Sequence, residues 1–524
     1  MRIGARARNR ASVVALILAV ALSAAACSAG GDDSDDGDGG GGGDAILRYG
    51  YDAEAQFTNT FDIAQSTGDC DSIVFAQIFD TLVHKAPGNV LEPGLAESWE
   101  VVDPSTLRLQ IRDGVTFHDG TTFDAQAVAD GLEHNATSEQ LVDLGKIEEF
   151  RVVDDLTLEL VMSEPIAGQM PASFTGRDGM IMAAASTAED PIGAGPFVFD
   201  GWDEGSEIRV RKYADYWDAD AYAFDGIDFV QTGTGPPAVT ALKSGGVDLI
   251  RFEAESYEEL AGDDSFEVIA QPTGAYLQFE FRQAHQGEET PFADVRVRQA
   301  INHAIDREQI NEVVQNGLGE VASQPFPKDS PAYVPELADR YPYDPERARE
   351  LLAEAGYADG FEFIVAIPGG GIANMESQIN LLVPMLEAVG LRPQVERILA
   401  SDIGTQFYIV GRGDAFAAAE LDTTFPTGKL KNNYGNDQYV AIWDGAERDD
   451  ITELMLDAEA TADLDETYEL VRQGVRIAVE EALDVPIAFM PQFLAYDRER
   501  VGGEVGGQTN ICDPPNLRRA TVTP

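Results

Sequence analysis

The chain of 524 residues has few cysteines, few histidines and little positive charge, and each shortage argues against a class of function. Its five histidines are scattered with no pair at metal-ligand spacing, which argues against a metal site built on histidine. Only 36 basic residues stand against 92 acidic ones, and the net charge of −56 opposes binding to nucleic acid. The excess of acid leaves two interpretations open: a cleft for cationic ligands, or a solvated surface that keeps a secreted protein soluble.

The N-terminal apolar stretch, residues 12–26, is shorter than the roughly 20 residues that a membrane-spanning helix needs. Four arginines precede it, and it ends in three alanines followed by Cys27. This pattern predicts a lipoprotein signal peptide over residues 1–26, with Cys27 lipidated at the mature N-terminus. An ordinary signal peptide with a chance cysteine is the alternative. We therefore expect an extracytoplasmic protein, lipid-anchored to the outer face of the cell membrane.

Residues 27–44 are almost devoid of apolar side chains, which predicts a disordered Gly/Asp tether between the anchor and a folded body. Beyond the tether the chain has two more cysteines, Cys70 and Cys512. In an exported protein two cysteines favour a disulfide, and two separate buried thiols are the alternative. A bridge between them would return the C-terminus to the part of the chain that holds the N-terminus.

The folded body is too long for one simple core, so two or three domains are expected. Residues 361–398 alternate between strand, helix and strand patterns, which predicts α/β structure with a parallel sheet. In the stretch PFADVRVRQAINHAIDREQI, Asp294 is placed to cap one helix and Asp306 with Gln309 to cap a second. On these residues alone the stretch is a helix pair that starts a folding unit, with its charged side chains at caps and on the surface.

The same stretch resembles the most characteristic run of the bacterial extracytoplasmic solute-binding proteins of family 5, the peptide, nickel and opine type. Members of that family are the substrate-binding lipoproteins of ABC transporters. Other runs resemble the family in the same order along residues 45–510. They are VLEPGLAESWEVVDPSTLRLQIRDGVTFHDG (90–120), PIGAGPFVFDGW (191–202), RKYADYW (211–217), ALKSGGVDLI (241–250) and YDPERARELLAEAGY (343–357).

The resemblance implies a two-lobed α/β fold of the periplasmic-binding-protein (Venus-flytrap) kind, which closes over a ligand. It also implies an extra subdomain in the first lobe and two crossovers between the lobes, expected near 285–291 and 486–493. The implied domains are a main subdomain of the first lobe (45–75, 186–288 and 490–524), the extra subdomain (76–185) and the second lobe (289–489).

The resemblance points to Asp422 as the leading ligand-binding residue, because peptide-binding relatives use an aspartate at this spacing before a proline to accept an ammonium group. Thr423 lies beside it, while Ala418 and Ala419 stand where those relatives have Gly and Trp. Gly370 is a candidate for holding a carboxylate through its amide, with a flexible turn as the alternative. Arg412 is a candidate partner for a ligand carboxylate, or else for nearby acids. Further candidates for ligand contact, each with a core position as its alternative, are Phe57, Asn59, Phe61, Tyr276, Phe279 and Trp443.

The implied function is solute capture for an ABC importer. An oligopeptide or dipeptide is the first expectation, and an oligosaccharide, an opine-like compound or a metal chelate is the alternative. The expected partners are the permease and ATPase subunits and the membrane, reached through the lipid anchor. We expect a monomer without cofactor, metal or nucleic acid and without enzyme activity; a secreted hydrolase and a sensor lipoprotein are the rival functions.

Overall fold

The computed structural model describes most of the chain from residue 44 onward, and every structural statement below concerns the described residues. These are 44–51, 60–66, 69–86, 90–138, 141–233, 235–252, 254–285, 288–369, 373–399, 406–407, 410–420, 426–435, 448–461, 463–506 and 513–524.

The helices lie mainly on the two faces of one large sheet. They are α1 (Ser72–Phe79), α2 (Ala125–Asn135), α3 (Met170–Ser173), α4 (Pro236–Lys243), α5 (Tyr257–Ala261), α6 (Val295–Ala304), α7 (Arg307–Val314), α8 (Pro345–Glu354), α9 (Ala373–Ala388), α10 (Pro426–Tyr434), α11 (Asp449–Ala460) and α12 (Leu464–Glu480).

The strands alternate with these helices along much of the chain. They are β1 (Ile46–Tyr51), β2 (Val83–Ala86), β3 (Val90–Pro93), β4 (Ala96–Asp103), β5 (Thr106–Ile111), β6 (Ile147–Asp154), β7 (Thr157–Met162), β8 (Phe197–Asp203), β9 (Glu207–Lys212), β10 (Gly226–Gln231), β11 (Leu249–Phe252), β12 (Phe266–Phe281), β13 (Ala284–His285), β14 (Glu288–Glu289), β15 (Glu320–Val321), β16 (Glu362–Gly369), β17 (Arg392–Leu399), β18 (Ala415–Glu420), β19 (Asp484–Asp497), β20 (Val501–Gly506) and β21 (Asn516–Val522).

The largest sheet runs in the order β17-β16-β18-β12-β19-β11-β1-β10-β9-β8, with β15 paired to β19 beside that path. Strand β16 is parallel to β17 and β18, and β1 is parallel to β10 and β11. The parallel sheet expected for residues 361–398 is therefore confirmed. Helices with apolar faces cover both sides of this sheet, as parallel strands require.

Strands β12 and β19 cross from one end of this sheet to the other and pair with each other on both sides of the crossing. Phe266–Pro272 pairs with Pro491–Asp497, next to β11. Tyr276–Phe281 pairs with β18 on one side and with Asp484–Phe489 on the other. The strands around β11 and β1, with the elements packed on them, are called the first half below. The strands around β16–β18, with theirs, are called the second half.

One predicted crossover is confirmed and the other is misplaced. Strand β19 pairs with β15 at Phe489 and with β11 at Phe493, so the second crossing lies where the sequence placed it. The first crossing, expected near 285–291, lies within β12, where the register with β19 shifts between Pro272 and Tyr276. Because the strand itself makes the crossing, no loop marks it in the sequence. Tyr276 therefore opens the second half's part of β12.

A separate antiparallel sheet, in the order β4-β5-β7-β6, lies within residues 76–185 and packs α2 on one face. Its buried side chains, such as Leu109 and Leu160, join the same apolar core as β1 and β10. The opposite face carries ion pairs between Arg108 and Glu159 and between Arg151 and Glu159. This sheet corresponds in position to the predicted extra subdomain, and the exact domain boundaries stay predictions.

The helix pair of the characteristic stretch forms as its capping residues predict. The Asp294 side chain accepts a hydrogen bond from the Arg296 amide at the start of α6, and the Asp306 side chain accepts one from the Gln309 amide at the start of α7. Helix α7 ends before Gly317, whose φ of 71° suits glycine.

Two arginines of this stretch are buried, so the expectation that its charged side chains lie only at caps and on the surface is wrong. Arg298 donates to the carbonyl oxygens of Phe292 and Glu481, at 2.8 and 2.7 Å. Arg307 donates to the carbonyl oxygens of Asn302 and Pro486, at 2.9 and 2.7 Å. Burial lowers the pKa of each guanidinium to about 10, which leaves both cationic at neutral pH. The two side chains fix α6 and α7 to the start of β19.

Cys70 takes part in a disulfide bond. Cys27 and Cys512 lie outside the described residues, so the pairing of Cys70 with Cys512 stays a prediction. No helix among the described residues is both long and apolar enough to cross a lipid bilayer.

We expect non-reducing peptide mapping by mass spectrometry to recover one peptide pair linked through Cys70 and Cys512. The same digest after reduction and alkylation is the control and should release both peptides. Recovery of Cys512 as a free thiol in the folded protein would contradict the pairing.

Replacing Arg298 by methionine should lower the free energy of unfolding by about 3 kcal/mol, because several buried carbonyl oxygens lose their donor. Arg296→Met is the matched control: Arg296 is exposed, and its pair with Asp294 should contribute little to stability because water screens it. Chemical denaturation followed by circular dichroism measures both variants. An equal decrease in the free energy of unfolding of the two variants would show that the buried hydrogen bonds of Arg298 do not stabilise the fold more than an exposed ion pair does.

Candidate functional site

The carboxyl ends of the parallel strands in both halves face the place where β12 and β19 cross. In the second half, Glu420 at the end of β18 pairs with Tyr276, the first residue of β12 after the crossing. In the first half, Phe252 at the end of β11 pairs with Phe493, just past the crossing in β19. Strand β1 is parallel to β11, so its end at Tyr51 lies at the same edge. Open α/β sheets bind ligands beyond the carboxyl ends of their strands, so this boundary is the candidate site.

Several predicted ligand residues follow these strand ends directly along the chain. Phe57 and Asn59 come after β1, Gly370 after β16, and Asp422 and Thr423 after β18. These five residues and Trp443 lie outside the described residues. Their ligand roles therefore stay predictions, as does lipidation at Cys27.

Two predicted contact residues belong to the apolar cores. Phe61 is fully buried in the first half, with its ring 4.9 Å from that of Phe199. Phe279 is fully buried in the second half, with its ring 5.6 Å from that of Phe281. Neither ring has surface left for a solute, so the core alternative holds for both. Their aromatic character reflects packing, which single residue types in a sequence do not distinguish from stacking on a ligand.

Arg412 forms an ion pair with Glu396, which is the second of the two roles that its sequence position left open. Arg397, another cation near the strand ends, pairs likewise with Glu376 at 2.7 Å. Both arginines are about half exposed, so their acid partners are also reachable by solvent. A part in binding a ligand carboxylate stays a prediction for Arg412.

Tyr276 belongs to a buried group of acids and tyrosines, here called the acid–tyrosine cluster, made of Tyr276, Glu280, Glu420, Tyr434 and Asp484. The Asp484 carboxylate accepts hydrogen bonds from the hydroxyl groups of Tyr434, at 2.9 Å, and Tyr276, at 3.3 Å. Residues 276 and 280 share one face of β12, and α10 covers that face with Tyr434. The cluster thus joins the sheet to helix α10.

Two carboxyl groups of the cluster, those of Asp484 and Glu280, hold their protons more tightly than usual. Burial raises the pKa of Asp484 to about 6; the two tyrosine hydroxyls oppose the shift, and Glu420 adds to it. Burial also raises the pKa of Glu280 well above its ordinary value, and the negative charges of Glu420 and Asp484 raise it further. Within the described residues, Glu280 Oε2 has no hydrogen-bond partner.

Helix α10 places a buried cation at the edge of this cluster. Lys429 Nζ lies 4.7 Å from the centre of the Tyr276 ring and 5.4 Å from that of Phe326, within the range of a cation–π contact. Asn433 on the same helix donates to Glu420 at 3.0 Å. Since α10 begins at Pro426, four residues after Asp422, these contacts also anchor the chain next to the predicted ligand residue.

The sequence carried a signal for the cluster that its interpretation missed. In YLQFEF, residues 276–281, a polar or hydroxyl-bearing side chain occurs at every second position of an otherwise apolar strand. Such alternation predicts that one face of the strand is polar. In the structure helix α10 covers this polar face, so its side chains need partners within the protein. The partners Tyr434 and Asp484 come from distant parts of the chain, so no local pattern identifies them.

The part of the chain that the structure describes holds no group of three or more histidine, cysteine or acidic side chains arranged to hold a metal ion. His118, in the HDG turn, binds main-chain atoms: its Nε2 lies 3.0 Å from the Gly195 carbonyl oxygen, and burial lowers its pKa. The turn is therefore structural.

Two α/β halves that are joined by crossing strands, with their strand ends facing one another, define the class of two-lobed periplasmic binding proteins. The solved structure of HbpA2 from Haemophilus parasuis shares this fold, with a TM-score of 0.79 at 20% identity over 91% of this chain and 99% of that one. The chain belongs to the bacterial extracellular solute-binding proteins, family 5, whose model matches residues 90–435.

Sequence relatives agree with this family. Heme-binding protein A from Haemophilus influenzae is 30% identical over 326 residues, which cover 55% of this chain and 58% of that protein. Di/tripeptide-binding protein 1 from Pseudomonas aeruginosa is 26% identical over 473 residues, which cover 82% of this chain and 86% of that protein. The chain thus spans little more than half the length of the first of these relatives, and 53% of a glutathione-binding protein from Pectobacterium atrosepticum.

Asp484→Asn should remove part of the pH dependence of stability. A carboxyl whose folded-state pKa of about 6 exceeds its unfolded value of about 4 stabilises the fold when protonated, and this contribution is lost as the pH rises from about 4 to 6. Between pH 4 and pH 7 the wild type should therefore lose on the order of 3 kcal/mol more than the variant. Denaturant titrations at both pH values measure the difference.

Asp457→Asn, at an exposed position of α11, is the control and should follow the wild type at both pH values. Parallel behaviour of wild type and Asp484→Asn would mean that Asp484 does not hold its proton as proposed.

Proposed function

We propose that this protein is the extracytoplasmic solute-binding component of an ABC importer. It captures a solute between its two halves and delivers it to the permease and ATPase subunits. The observation that carries the proposal is the convergence of strand ends from both halves on the crossing of β12 and β19. A solute held there contacts both halves and favours their closure.

An oligopeptide or dipeptide is the proposed solute class, with Asp422 as the acceptor for its ammonium group. Support comes from the segment itself, which keeps the aspartate and the proline of peptide binders, and from the di/tripeptide-binding relative. The loss of the Trp, where this chain has Ala419, leaves more room than in peptide binders, so oligosaccharides, opine-like compounds and metal chelates form the alternative class.

The proposed location follows from the N-terminal sequence. Cys27 carries the lipid, residues 27–44 form the tether, and the folded body is exposed outside the cell membrane as a monomer without catalytic activity. The large negative charge then serves solubility, since it is spread through the chain.

Native mass spectrometry of freshly purified protein is the first experiment, because a co-purifying solute identifies itself by mass. Calorimetry with that solute, or with a dipeptide bearing a free amino group, then tests Asp422. Asp422→Asn should weaken binding by at least about 1.5 kcal/mol, roughly tenfold, since a charge-assisted hydrogen bond is lost.

The matched control is Asp457→Asn, which should leave the affinity unchanged. An unchanged affinity in Asp422→Asn rejects the role of that residue. Turnover of a peptide or glycoside panel by the pure protein would reject the proposed function itself.

A further inference from the structure

The two halves touch at a second place, away from the crossing strands. Residues 166–169, here called the closing turn, follow β7 and precede α3 in the first half. Ile166 and Ala167 are fully buried in the first half's core, and the Ala167 amide donates to the Pro104 carbonyl oxygen at 3.0 Å. The first half therefore holds the turn in place. The remaining two residues of the turn, Gly168 and Gln169, contact the second half.

Gly168 lies directly against the carboxyl end of helix α11. A Cβ atom at this position would stand 2.4 Å from the Thr461 carbonyl oxygen and 3.0 Å from the Glu459 carbonyl oxygen, closer than such atoms approach. The nearest atoms to that Cβ all belong to the second half. A side chain at residue 168 would therefore be incompatible with this contact while meeting no comparable obstacle within the first half.

The neighbouring residue makes a polar contact across the same boundary. Gln169 Oε1 lies 3.5 Å from the hydroxyl group of Thr427, and both residues are buried. Thr427 is the second residue of α10, the helix that carries Lys429 and Tyr434. The closing turn thus reaches the helix next to the predicted ligand segment.

The surface that receives the turn is built on a buried ion pair. Lys431 Nζ of α10 lies 2.8 and 2.9 Å from the two carboxylate oxygens of Glu459 of α11, and the Glu459 side chain is only 1% exposed. Burial raises the pKa of Glu459, and the ammonium groups of Lys431 and of Lys146, across the boundary, oppose that shift. The pair holds α10 and α11 together and so fixes both contacts of the closing turn.

We propose that the closing turn is a latch that holds the two halves in the close approach seen in the structure without any contribution from the solute. Gly168 is its positioning residue, because the absence of a side chain sets how closely the halves approach. The proposal rests on the proposed function in one respect: closure of the halves is the step that retains the solute. A contact made only of protein atoms then contributes to the free energy of closure, so the solute has to supply less of it.

Small-angle X-ray scattering of solute-free protein tests the latch, after denaturation and refolding to remove any bound solute. The wild type sets the reference radius of gyration. Gly168→Ala and Gly168→Val should shift the radius of gyration to larger values, the valine variant more. Thr427→Val, which removes the hydroxyl group that faces Gln169 but keeps the side-chain volume, should shift it less.

Gly145→Val is the matched control, because a Cβ at Gly145 in the same antiparallel subdomain would meet no atom within 4 Å. It should scatter as the wild type does, and circular dichroism should show that all variants are folded. Variants at Gly168 that are folded and keep the radius of gyration of the wild type would overturn the proposal. Since no solute takes part, this result is independent of whether the proposed importer function holds.

Discussion

The antiparallel pairing of β12 with β19 is the constraint on which the rest of the structure depends. Each strand belongs to the sheet of both halves, so main-chain hydrogen bonds continue through the boundary between them. The pairing also sets the direction of the neighbouring strands, and it therefore brings the ends of β1, β11, β16 and β18 to one edge. Movement of one half against the other has to bend the two strands near Pro272–Tyr276 and Phe489–Pro491, where their register shifts.

The stretch that most resembles the family, residues 291–310, serves this strand pair and not the solute. Arg298 and Arg307 satisfy main-chain carbonyl oxygens at the beginning of β19, and Asn302 donates to the Asp484 carbonyl oxygen at 3.1 Å. A buried guanidinium needs an acceptor for nearly every N–H group, which only one backbone arrangement supplies. In a protein with 92 acidic residues, these buried cations have mainly neutral carbonyl groups as partners.

Helix α10 connects the features that the two proposals invoke. Its last residues, Asn433 and Tyr434, bind Glu420 and Asp484 on the sheet, while its second residue, Thr427, faces the closing turn of the first half. The segment with Asp422 leads directly into its first turn. A change in the distance between the halves therefore acts on the same helix that follows the predicted ligand residue along the chain, which gives closure and binding a shared element.

Local features of this protein were readable from the sequence, because capping and periodicity depend on neighbouring residues. The caps at Asp294 and Asp306 and the strand–helix–strand pattern of 361–398 are of this kind, and the family resemblance extends them to a two-lobed fold. Other features depend on contacts between segments that are distant along the chain, and only the tertiary structure decides them. They are the burial of Phe61 and Phe279, the crossing inside β12, the acid–tyrosine cluster and the closing turn. Each depends on which side chains of other segments lie within a few ångströms, and neither composition nor spacing along the chain contains that information.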